Sequence, residues 1–591
     1  MQKNLDKIQA GWLLPALLLF ALPAVAQAQF NFTTNNGAIT ITKYTGPGGA
    51  VTIPSATNGY PVTSIGSNAF YTQFSMTNVT IPDSVTSIGN WAFYSCSGLT
   101  SITLPNNITS IGDDAFFYCS GLKSVTFPNG VTNIGTQAFQ SCNLTNVTLP
   151  NSVITVGVRA FYVCSGLTSV YIGTNVANIG VDAFTGGGSL QSITVDPLNP
   201  FYTSVDGVLL NKGQTVLVEC PAGKVGSYTI PNSVIAIGDY AFHGCYLTNV
   251  TIPGSVTSID TGAFAFCSLT SAIIPNSVTS IGNNAFVDCM NLTNITIGKG
   301  VTNIGGLFMD CNRLTAITVD ALNSVYSSAD GVLFNKGQST LIEYPGGKSG
   351  GYMIPNSVIS IGNDAFYDCL NLTSVMIPNS VTSIGDMAFR GCNSLTNATI
   401  NSSVTGDFTF FECYKLTSVT IGNSVTSIGE AAFYYCGGLT NVTIPNSVAS
   451  IGDYAFGQCS SLTAAYFQGN MPSGTNTIFS GAFSAGGKGT AYYLPGTAGW
   501  GSTFGGWPTA LWYQPNPMIL GSGNGLGATT NGFGFTISWA TNAPVVVEAC
   551  TNLANPVWLP LATNTLTSGT NYFNDSQWTN STARFYRLHS P

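Results

Sequence analysis

Thirteen of the fifteen cysteines in this chain stand at one fixed place, three residues after a phenylalanine. Cys96 follows Phe93 in this way, and Cys289 follows Phe286. Cysteines can form disulfides in exported proteins, bind metal ions or act as nucleophiles, and each role needs particular partners. One regular position instead favours a buried row of thiols, in which cysteine behaves as a small hydrophobic residue.

Disulfides between neighbouring members of this row are the alternative. Strands stacked about 4.8 Å apart would satisfy the Cα distance of a disulfide, whereas parallel Cβ directions suit its dihedral angle poorly. Gln73 and Gly187 occupy the same place in two repeats, so those repeats need no thiol. Zinc is disfavoured because the chain has no Cys-x-x-Cys pair and its two histidines, His243 and His589, are far apart in sequence.

The same two histidines limit nucleophilic catalysis. A Ser-His-Asp triad would need one of them, and neither lies in a nucleophile motif such as Gly-x-Ser-x-Gly. His243 occupies a variable place in its repeat, where we expect it to be exposed to solvent. The sequence therefore predicts a protein that is not an enzyme and that holds no cofactor and no metal.

Two pairs of aspartates, Asp196 with Asp206 and Asp320 with Asp330, bracket two insertions. Carboxylates in such pairs suggest calcium, although a calcium site needs a denser set of oxygen ligands. Turn formation explains them at least as well, because Asp206 and Asp330 each precede a glycine in a hairpin signal. Both interpretations remain open at the level of sequence.

A repeated unit must position all of these residues. One copy runs from Ile274 to Ile297, and its order of Ser-Val-Thr-Ser-Ile-Gly, Ala-Phe, Cys and Leu-Thr returns along the chain. Phenylalanines mark the period: within each block they lie 21 to 23 residues apart, inside the leucine-rich-repeat range of about 20 to 29 residues. They are Phe70, Phe93, Phe116, Phe139, Phe161, Phe184, Phe242, Phe264, Phe286, Phe308, Phe366, Phe389, Phe410, Phe433 and Phe456. A fixed period of this length predicts a repeat solenoid of the leucine-rich type.

Each repeat is predicted to form one coil of the solenoid. Alternation places Ile295 and Ile297 in the core and turns Asn294 and Thr296 toward solvent. A second short strand follows and ends at a glycine, which permits a turn with positive φ. Asn283, or Asp in other copies, is expected to cap a short helical turn. The predicted coil is therefore strand, turn, short strand and short helical turn.

Other segments cap, interrupt or follow the repeats. Matched insertions near residues 193–230 and 317–354 carry turn signals between short apolar runs, and they are predicted to be β-hairpins that hang from the solenoid. Short alternating runs near the end predict a small all-β domain of the sandwich type. The predicted divisions are an N-terminal β cap (29–66), the solenoid (67–470), a C-terminal cap (471–515) and the small β-sandwich-like domain (516–591).

The first 28 residues are predicted to be a secretory signal peptide. Lys3 and Lys7 precede an apolar run from Trp12 to Val25, and Ala26-Gln27-Ala28 supplies a cleavage pattern of small residues. A membrane anchor is the alternative, but the run is shorter than the roughly 20 residues of a spanning helix. Cleavage before Gln29 would leave a mature chain without a membrane span, either secreted or held at the cell surface.

Charged residues are scarce in this chain. Its 16 Lys and Arg residues and 24 Asp and Glu residues give a formal net charge of −8. An acidic chain without a basic patch argues against nucleic acid and against anionic membrane surfaces as partners.

The repeat resembles the BspA-type leucine-rich repeats of bacterial surface proteins. The resemblance rests on the order Pro-x-Ser-Val-Thr-x-Ile-Gly-x-x-Ala-Phe-x-x-Cys-x-x-Leu, on the sequence GAITITKYTGPGGAVTIPSATNGYPVTSIG and on the Asp-Gly-Val-Leu insertions. It covers residues 37–470 and implies a secreted or cell-surface adhesin that recognises other molecules. It carries over no binding residues, because the repeat class has no family-wide ligand site.

These observations predict a secreted or cell-surface binding and adhesion protein whose ligand is an extracellular protein or glycan. The candidate ligand-facing residues are outward strand positions and one tyrosine from each insertion. They are Asn146, Thr148, Asn249, Thr251, Asn294, Thr296, Asn441, Thr443, Tyr202 and Tyr326. The preference of threonine for strands explains the polar stripe equally well without a ligand. The alternative function is a structural spacer or matrix component, attached through the C-terminal β-domain.

Overall fold

A computed structural model describes residues 29–306, 308–403, 405–481, 489–512, 517–520, 526–529, 532–539, 543–567, 569–581 and 583–590. The predicted signal peptide, residues 1–28, lies outside this part of the chain. Two compact units are present. The first comprises Met1–Cys311 and Val319–Ser324, and the second comprises Asn312–Thr318 and Val325–Pro591.

Each unit is a stack of coils joined by parallel strand pairing. A coil adds one longer strand to one sheet and one two-residue strand to another. In the first unit Asn294 lies opposite Ser271 in the longer-strand sheet, and Ser280 lies opposite Ser258 in the short-strand sheet. Equivalent residues of neighbouring coils therefore lie side by side, as a solenoid with a fixed period requires.

The first unit begins with five cap strands and continues through two series of coil strands and the first insertion. The cap strands are Phe30–Asn35, Ala38–Tyr44, Gly49–Thr52, Ala56–Thr57 and Tyr60–Ile65. The longer coil strands are Met76–Thr80, Ser101–Thr103, Ser124–Thr126, Asn146–Leu149, Ser169–Ile172, Ser192–Val195, Gly226–Thr229, Leu247–Thr251, Ser271–Ile274 and Asn294–Ile297. The short strands are Ser87–Ile88, Ser110–Ile111, Asn133–Ile134, Thr155–Val156, Asn178–Ile179, Ala236–Ile237, Ser258–Ile259, Ser280–Ile281 and Asn303–Ile304. The insertion strands are Tyr202–Val205, Val208–Asn211 and Val216–Glu219.

The strand Ala316–Val319 spans the division between the units, and the second unit repeats the same plan. Its insertion strands are Tyr326–Ala329, Val332–Asn335 and Thr340–Glu343. Its longer strands are Gly350–Met353, Leu372–Ile377, Asn397–Ile400, Ser418–Ile421, Asn441–Ile444, Ala464–Phe467, Thr490–Tyr493 and Trp507–Leu511, the last of which pairs with Thr503–Phe504. Its short strands are Ser360–Ile361, Ser383–Ile384, Ser427–Ile428 and Ser450–Ile451.

Stacked phenylalanine rings form the centre of each unit. From Phe70 to Phe184 the ring centroids of neighbouring coils lie 4.8 to 5.6 Å apart, and from Phe366 to Phe456 they lie 4.4 to 5.3 Å apart. These rings are buried, as are the cysteines that follow them. The predicted leucine-rich repeat solenoid and its buried thiol row are thus confirmed.

The segment expected to be a short helical turn is a series of tight turns instead. Asp114 and Tyr118, on either side of Phe116, have φ values of 55° and 58°, and left-handed residues interrupt an α-helix. Their N–H groups, like that of Phe116, donate to carbonyls of the next coil. The turn therefore uses half of its amides to join coils and forms no helix.

The Asn or Asp expected as a helix cap also joins coils. Asp113 accepts a hydrogen bond from the N–H of Thr136 at 2.8 Å, one coil further along. Asn90 accepts one from the N–H of Asp113 at 2.9 Å. The predicted capping role at Asn283 and its equivalents is wrong because the turn lacks a helical N-terminus that could be capped.

The two insertions are β-hairpins, as predicted, but they are built into the sheets and do not hang from them. In the first, Val205 pairs with Val208 across Asp206 and Gly207, whose φ values of 51° and 78° fit a type I′ turn. The third insertion strand then pairs in parallel with the next coil, where Leu217 lies opposite Ile237. The insertion therefore replaces the short strand of one coil.

Aromatic residues close the first unit at its N-terminal cap and the second unit after its last core phenylalanine. Tyr44 of the N-terminal cap stacks on Phe70 with centroids 5.3 Å apart. In the second unit Phe479 stacks on Trp507 at 4.2 Å. Each terminal coil thus covers its apolar end with aromatic surface.

The end of the second unit contains a separate β-sheet core. The strands are Met518–Ile519, Gly527–Thr529, Gly532–Ser538, Pro544–Cys550, Leu559–Thr565, Thr570–Asp575 and Phe585–His589. One short 3₁₀ turn, Trp578–Asn580, lies between the last two strands. They form two antiparallel sheets. Phe535 and Phe573 from one sheet pack in the same core as Val545 and Val547 from the other, which is the arrangement of a small sandwich.

Candidate functional site

The outward positions of the longer strands form what we call the strand face. Most of the predicted ligand-facing residues lie there: Asn146, Thr148, Asn249, Thr251, Asn294 and Asn441 are exposed, and Thr296 and Thr443 are partly exposed. Strand register places Ile273 beside Thr296, and Ile273 keeps 68% of its surface exposed. The polar stripe is therefore real but interrupted by apolar side chains.

Threonines just before these strands have a structural role. The hydroxyl of Thr293 donates to the carbonyl of Thr270 at 2.9 Å, and that of Thr270 donates to Thr248 at 3.1 Å. The same bond recurs in the second unit, from Thr396 to Thr373. Part of the threonine content therefore serves to join coils by hydrogen bonds.

The insertion tyrosines do not belong to the strand face. The hydroxyl of Tyr202 accepts a hydrogen bond from the N–H of Ile179 at 3.2 Å and lies 3.4 Å from the carbonyl of Ala177. Its ring packs against the hydrophobic core of the first unit, and burial raises its pKa. Tyr326 holds the matching place in the second insertion and is likewise only partly exposed. Tyr202 thus fastens its hairpin to the preceding coil.

A second surface, which the sequence analysis missed, lies on the turns that follow each core phenylalanine. In the second unit the residues directly after four successive core phenylalanines are Tyr367, Arg390, Phe411 and Tyr434. The guanidinium of Arg390 lies 5.6 Å from the ring centre of Tyr367 and 5.3 Å from that of Phe411. Phe411 in turn stacks on Tyr434 at 5.5 Å. The four side chains form one continuous row across four coils.

Three exposed tyrosines surround this row. Tyr435 meets Tyr434 edge to face at 4.7 Å, Tyr454 meets it at 6.2 Å, and Tyr414 lies 6.4 Å from Tyr435. Between 40 and 50% of the surface of each of the three is exposed. We call the row and these three tyrosines together the aromatic turn face.

The aromatic turn face contains a charge pair. Arg390 Nε lies 3.5 Å from a carboxylate oxygen of Glu412, and both side chains are about one-third exposed. Partial burial and the nearby Glu412 carboxylate raise the pKa of Tyr414. The one arginine of the face is therefore paired with a carboxylate of the same face.

A periodic signal for this surface was present in the sequence. The residue after each core phenylalanine is also aromatic in three successive coils of the first unit, namely Tyr71, Tyr94 and Phe117. Their centroids are 4.9 and 5.0 Å apart and their planes nearly parallel. Listing the residue after each phenylalanine, coil by coil, would have revealed both rows.

A buried charge cluster lies in the first unit, beside the first insertion. Asp182 is hydrogen-bonded to Nδ1 of His243 at 3.0 Å and to Nε of Arg159 at 3.3 Å. Glu219 lies fully within the core, where its Oε1 accepts hydrogen bonds from Thr185 Oγ1 at 2.9 Å and from the N–H of Phe184 at 3.2 Å. Burial, and secondarily the Asp182 carboxylate, raise the pKa of Glu219 to about 8.

The expected exposure of His243 is wrong. Only 8% of its surface is accessible, because the ring lies among Tyr162, Tyr240 and Phe266 and bonds to Asp182. Within the described part of the chain, the imidazole forms no hydrogen bond with a Ser, Thr or Cys that could serve as a nucleophile. The hydrogen bond between Asp182 and His243 joins two turns that the first insertion separates in sequence.

The thiol row is buried along its whole length. Most row cysteines donate the Sγ–H to the carbonyl of the phenylalanine one coil earlier, as from Cys119 to Phe93 at 3.0 Å and from Cys289 to Phe264 at 3.1 Å. Cys245 and Cys369 donate instead to the carbonyls of Cys220 and Tyr344. Burial raises the pKa of Cys164 to about 12. At Cys392 burial acts in the same direction, but hydrogen bonds from the thiols of Cys369 and Cys413 outweigh it and lower the pKa. Because all the row thiols are buried, the row serves packing.

The aspartates considered for calcium form turns. Asp196 accepts bonds from the N–H of Leu198 at 2.9 Å and from the hydroxyl of Tyr171 at 2.7 Å, and Asp320 accepts one from the N–H of Leu322 at 2.8 Å. Among the described residues, no three His, Cys, Asp or Glu side chains are grouped so that they could hold a metal ion. Nor does any helix in this part of the chain reach the length and apolarity needed to cross a membrane.

Comparison with known proteins identifies the repeats. The family described as BspA type leucine rich repeat region (6 copies) matches residues 92–203, 221–330, 351–463 and 406–488, together more than half of the chain. Repeats of this family are typically non-enzymatic. A search of curated proteins found no match.

Three solved structures are similar in sequence over most of their length. A leucine-rich repeat protein from Bacteroides ovatus is 26% identical, covering 71% of this chain and 93% of its own, with a TM-score of 0.37. A leucine rich cell surface protein from Faecalibacterium prausnitzii is 29% identical, covering 75% of this chain and 94% of its own, with a TM-score of 0.33. A leucine-rich repeat protein from Eubacterium ventriosum is 25% identical, covering 73% of this chain and 92% of its own, with a TM-score of 0.39. With its repeats matched over more than half of its length and its phenylalanine and cysteine rows in place, the chain belongs to the BspA-type leucine-rich repeat family.

Proposed function

We propose that this protein acts outside the cell or on its surface as a binding and adhesion protein, and that its repeats present a recognition surface to a protein or glycan ligand. The observation that carries the proposal is the aromatic turn face of the second unit. Its three outer tyrosines lie away from the core and keep 40 to 50% of their surface exposed. Contiguous exposed aromatic surface of this kind is typical of interaction sites.

The geometry of the face suits recognition. Stacking on Phe411 and on the guanidinium of Arg390 holds the central row in place, so a ligand would order few side chains on binding. Tyrosine also combines a large apolar ring with a hydroxyl and loses little conformational entropy. Because Arg390 is already paired with Glu412, covering the face would not leave an isolated charge buried.

Two further observations support an extracellular location. The predicted signal peptide precedes the first cap strand, and one similar solved structure is described as a cell surface protein. Asn441 and Thr443 of the strand face lie in the same unit as the aromatic turn face, and we include the strand face as a second candidate surface.

The experiment compares two surfaces of one unit. The mature protein, residues 29–591, is screened against a panel of extracellular-matrix proteins and a glycan array. The triple variant Tyr414→Ser, Tyr435→Ser, Tyr454→Ser is expected to weaken the interaction found by about tenfold or more. The matched control, Asn441→Ser with Thr443→Ser on the strand face, is expected to bind like the unmodified protein.

Circular dichroism and thermal unfolding establish that both variants fold. Absence of any ligand for the unmodified protein would overturn the proposal, as would unchanged binding by the folded triple variant. Loss of binding in the control alone would assign recognition to the strand face, and the aromatic turn face would then not be the site.

A further inference from the structure

We infer that a groove beside the N-terminal cap of the first unit binds a saccharide, with the ring of Tyr71 as its stacking platform. The groove has a volume of about 580 Å³ and lies between the last residues of the second cap strand and the first turn of the repeats. It is in a different unit from the aromatic turn face, so it stands or falls independently of the proposed function.

Tyr71 is the first ring of a stack. Its centroid lies 4.9 Å from that of Tyr94, with planes only 8° apart, and Tyr94 stacks in the same way on Phe117. Tyr94 is therefore covered on both faces, whereas Tyr71 is covered on one. It keeps 44% of its surface exposed and lines the groove.

The cap sequence explains why the other face of Tyr71 is open. Tyr44 takes the place of a core phenylalanine in the cap, since it stacks on Phe70 and its N–H donates to the carbonyl of Ala69. The cap residue equivalent to Tyr71 is therefore Thr45. Threonine is too small to continue the stack, so the platform ends at the groove.

Gln73 is a second, independent sign of a ligand site. It stands at the place that thirteen other repeats fill with a buried cysteine, and it is only partly buried at the wall of the groove. Among the residues that the structure describes, none forms a hydrogen bond with its side-chain amide. The first repeat thus replaces a core thiol with a polar group that faces the groove.

The chemistry of the lining fits a sugar ring. The face of an aromatic ring carries partial negative charge and attracts the C–H groups on the apolar face of a pyranose. Asn68, Gln73 and Thr42 supply amide and hydroxyl groups for the sugar hydroxyls, and Lys43 supplies one ammonium group. Polar groups placed beside an aromatic wall can fix the orientation of a small ligand.

The same lining disfavours other ligands. Among the described residues that line the groove, no carboxylate is present that could bind a cation. Their only charged side chain is Lys43, and a single positive charge in a chain of net charge −8 is too weak an attraction for a nucleic acid. Apart from tyrosine rings its one apolar side chain is Ala69, so a peptide would find no pocket for an anchoring side chain.

The test uses the mature protein, residues 29–591, on an array of neutral and acidic oligosaccharides, followed by calorimetric titration with the best sugar. Tyr71→Ala is expected to weaken binding by about tenfold or more, because the stacking platform is lost. Tyr71→Phe, which keeps the ring, is expected to bind within about threefold of the unmodified protein. Gln73→Cys, which restores the common repeat residue, is expected to fold normally and to bind more weakly.

Tyr118→Ala is the matched control, since Tyr118 is 53% exposed in the same unit but does not line the groove. It is expected to bind like the unmodified protein, and so is the triple tyrosine variant of the aromatic turn face. The inference is overturned if no oligosaccharide binds, if Tyr71→Ala binds as well as the unmodified protein, or if Tyr118→Ala weakens binding equally. The inference would also be overturned if peptides, but no other saccharides, displaced the bound sugar.

Discussion

The Nδ1 atom of His243 lies 3.0 Å from a carboxylate oxygen of Asp182, although the two residues are 61 positions apart in the chain. The first insertion lies between them in sequence, and its Glu219 bonds to the turn that contains Asp182. The other carboxylate oxygen of Asp182 faces Nε of Arg159 at 3.3 Å. In a chain with only 7% charged residues, this cluster ties the insertion and the coils around it together.

Asp182→Ala is expected to destabilise the first unit. The Asp182 side chain is 1% exposed, and its removal leaves a buried imidazole without its carboxylate partner. The loss of charge-assisted hydrogen bonds at such a site costs about 2–3 kcal/mol. Urea unfolding followed by circular dichroism measures the change. Asp83→Ala, at an exposed aspartate of the same unit, is the control and should stay within about 0.5 kcal/mol. Equal effects of the two substitutions would contradict a stabilising role for the cluster.

Glu219 should make stability depend on pH. Burial raises its pKa from 4.5 to about 8, so between these values the folded protein retains a proton that the unfolded chain has released. The free energy of unfolding therefore falls as pH rises from about 4.5 to about 8, with a slope of up to about 1.4 kcal/mol per pH unit from this group. Glu219→Gln is expected to flatten the slope and to stabilise the protein most at pH 8 to 9.

Chemical unfolding at pH 5, 6, 7, 8 and 9 measures this effect. Glu430→Gln is the control, because Glu430 is exposed. Its replacement should not change how the free energy of unfolding depends on pH. A Glu219→Gln profile parallel to that of the unmodified protein would show that the carboxyl group is not held neutral by burial.

The repeated core could be predicted from sequence because every coil restates the same local pattern. Phe286 and Cys289 are at most 1% exposed, and Ile295 and Ile297 are fully buried, as period and alternation indicated. Parallel register follows from the same repetition, since a coil can pair with its neighbour only at equivalent residues. The hairpin turn at Asp206 could be predicted for the same reason, because the Asp-Gly pair that indicates it consists of two adjacent residues.

Features that depend on contacts between particular coils could not be predicted in this way. The burial of His243 depends on Asp182 and on the rings of Tyr162 and Phe266, which belong to other coils. Of the rings around His243 only that of Tyr240 is nearby in the sequence. The prediction of a short helical turn was wrong because Asp114 and Tyr118 adopt left-handed φ values. Sequence seldom indicates this conformation at residues other than glycine. The aromatic turn face was readable in principle, but only by comparing equivalent positions across coils.

The thiols of the cysteine row should be unreactive in the folded protein. Cys164 has a pKa raised to about 12 by burial, so at pH 8 only about one molecule in ten thousand carries the thiolate. Because every row cysteine is buried, iodoacetamide is expected to label essentially none of them in the native protein, and all fifteen cysteines after unfolding without reductant. Mass mapping measures both states. Incomplete labelling of the unfolded, unreduced chain would instead indicate disulfides between coils.

Gly207, in the turn of the first insertion, should be difficult to replace. Its φ is 78°, and an added Cβ would lie 3.0 Å from Cβ of Ser192. Gly207→Ala is therefore expected to lower the free energy of unfolding by about 1–2 kcal/mol. Gly213→Ala in the same hairpin is the matched control: its added Cβ would meet only Thr215, at 3.9 Å, so the substitution should be neutral or stabilising by up to about 1 kcal/mol. Thermal unfolding of both variants measures the difference, and a Gly207→Ala protein as stable as Gly213→Ala would contradict the type I′ turn.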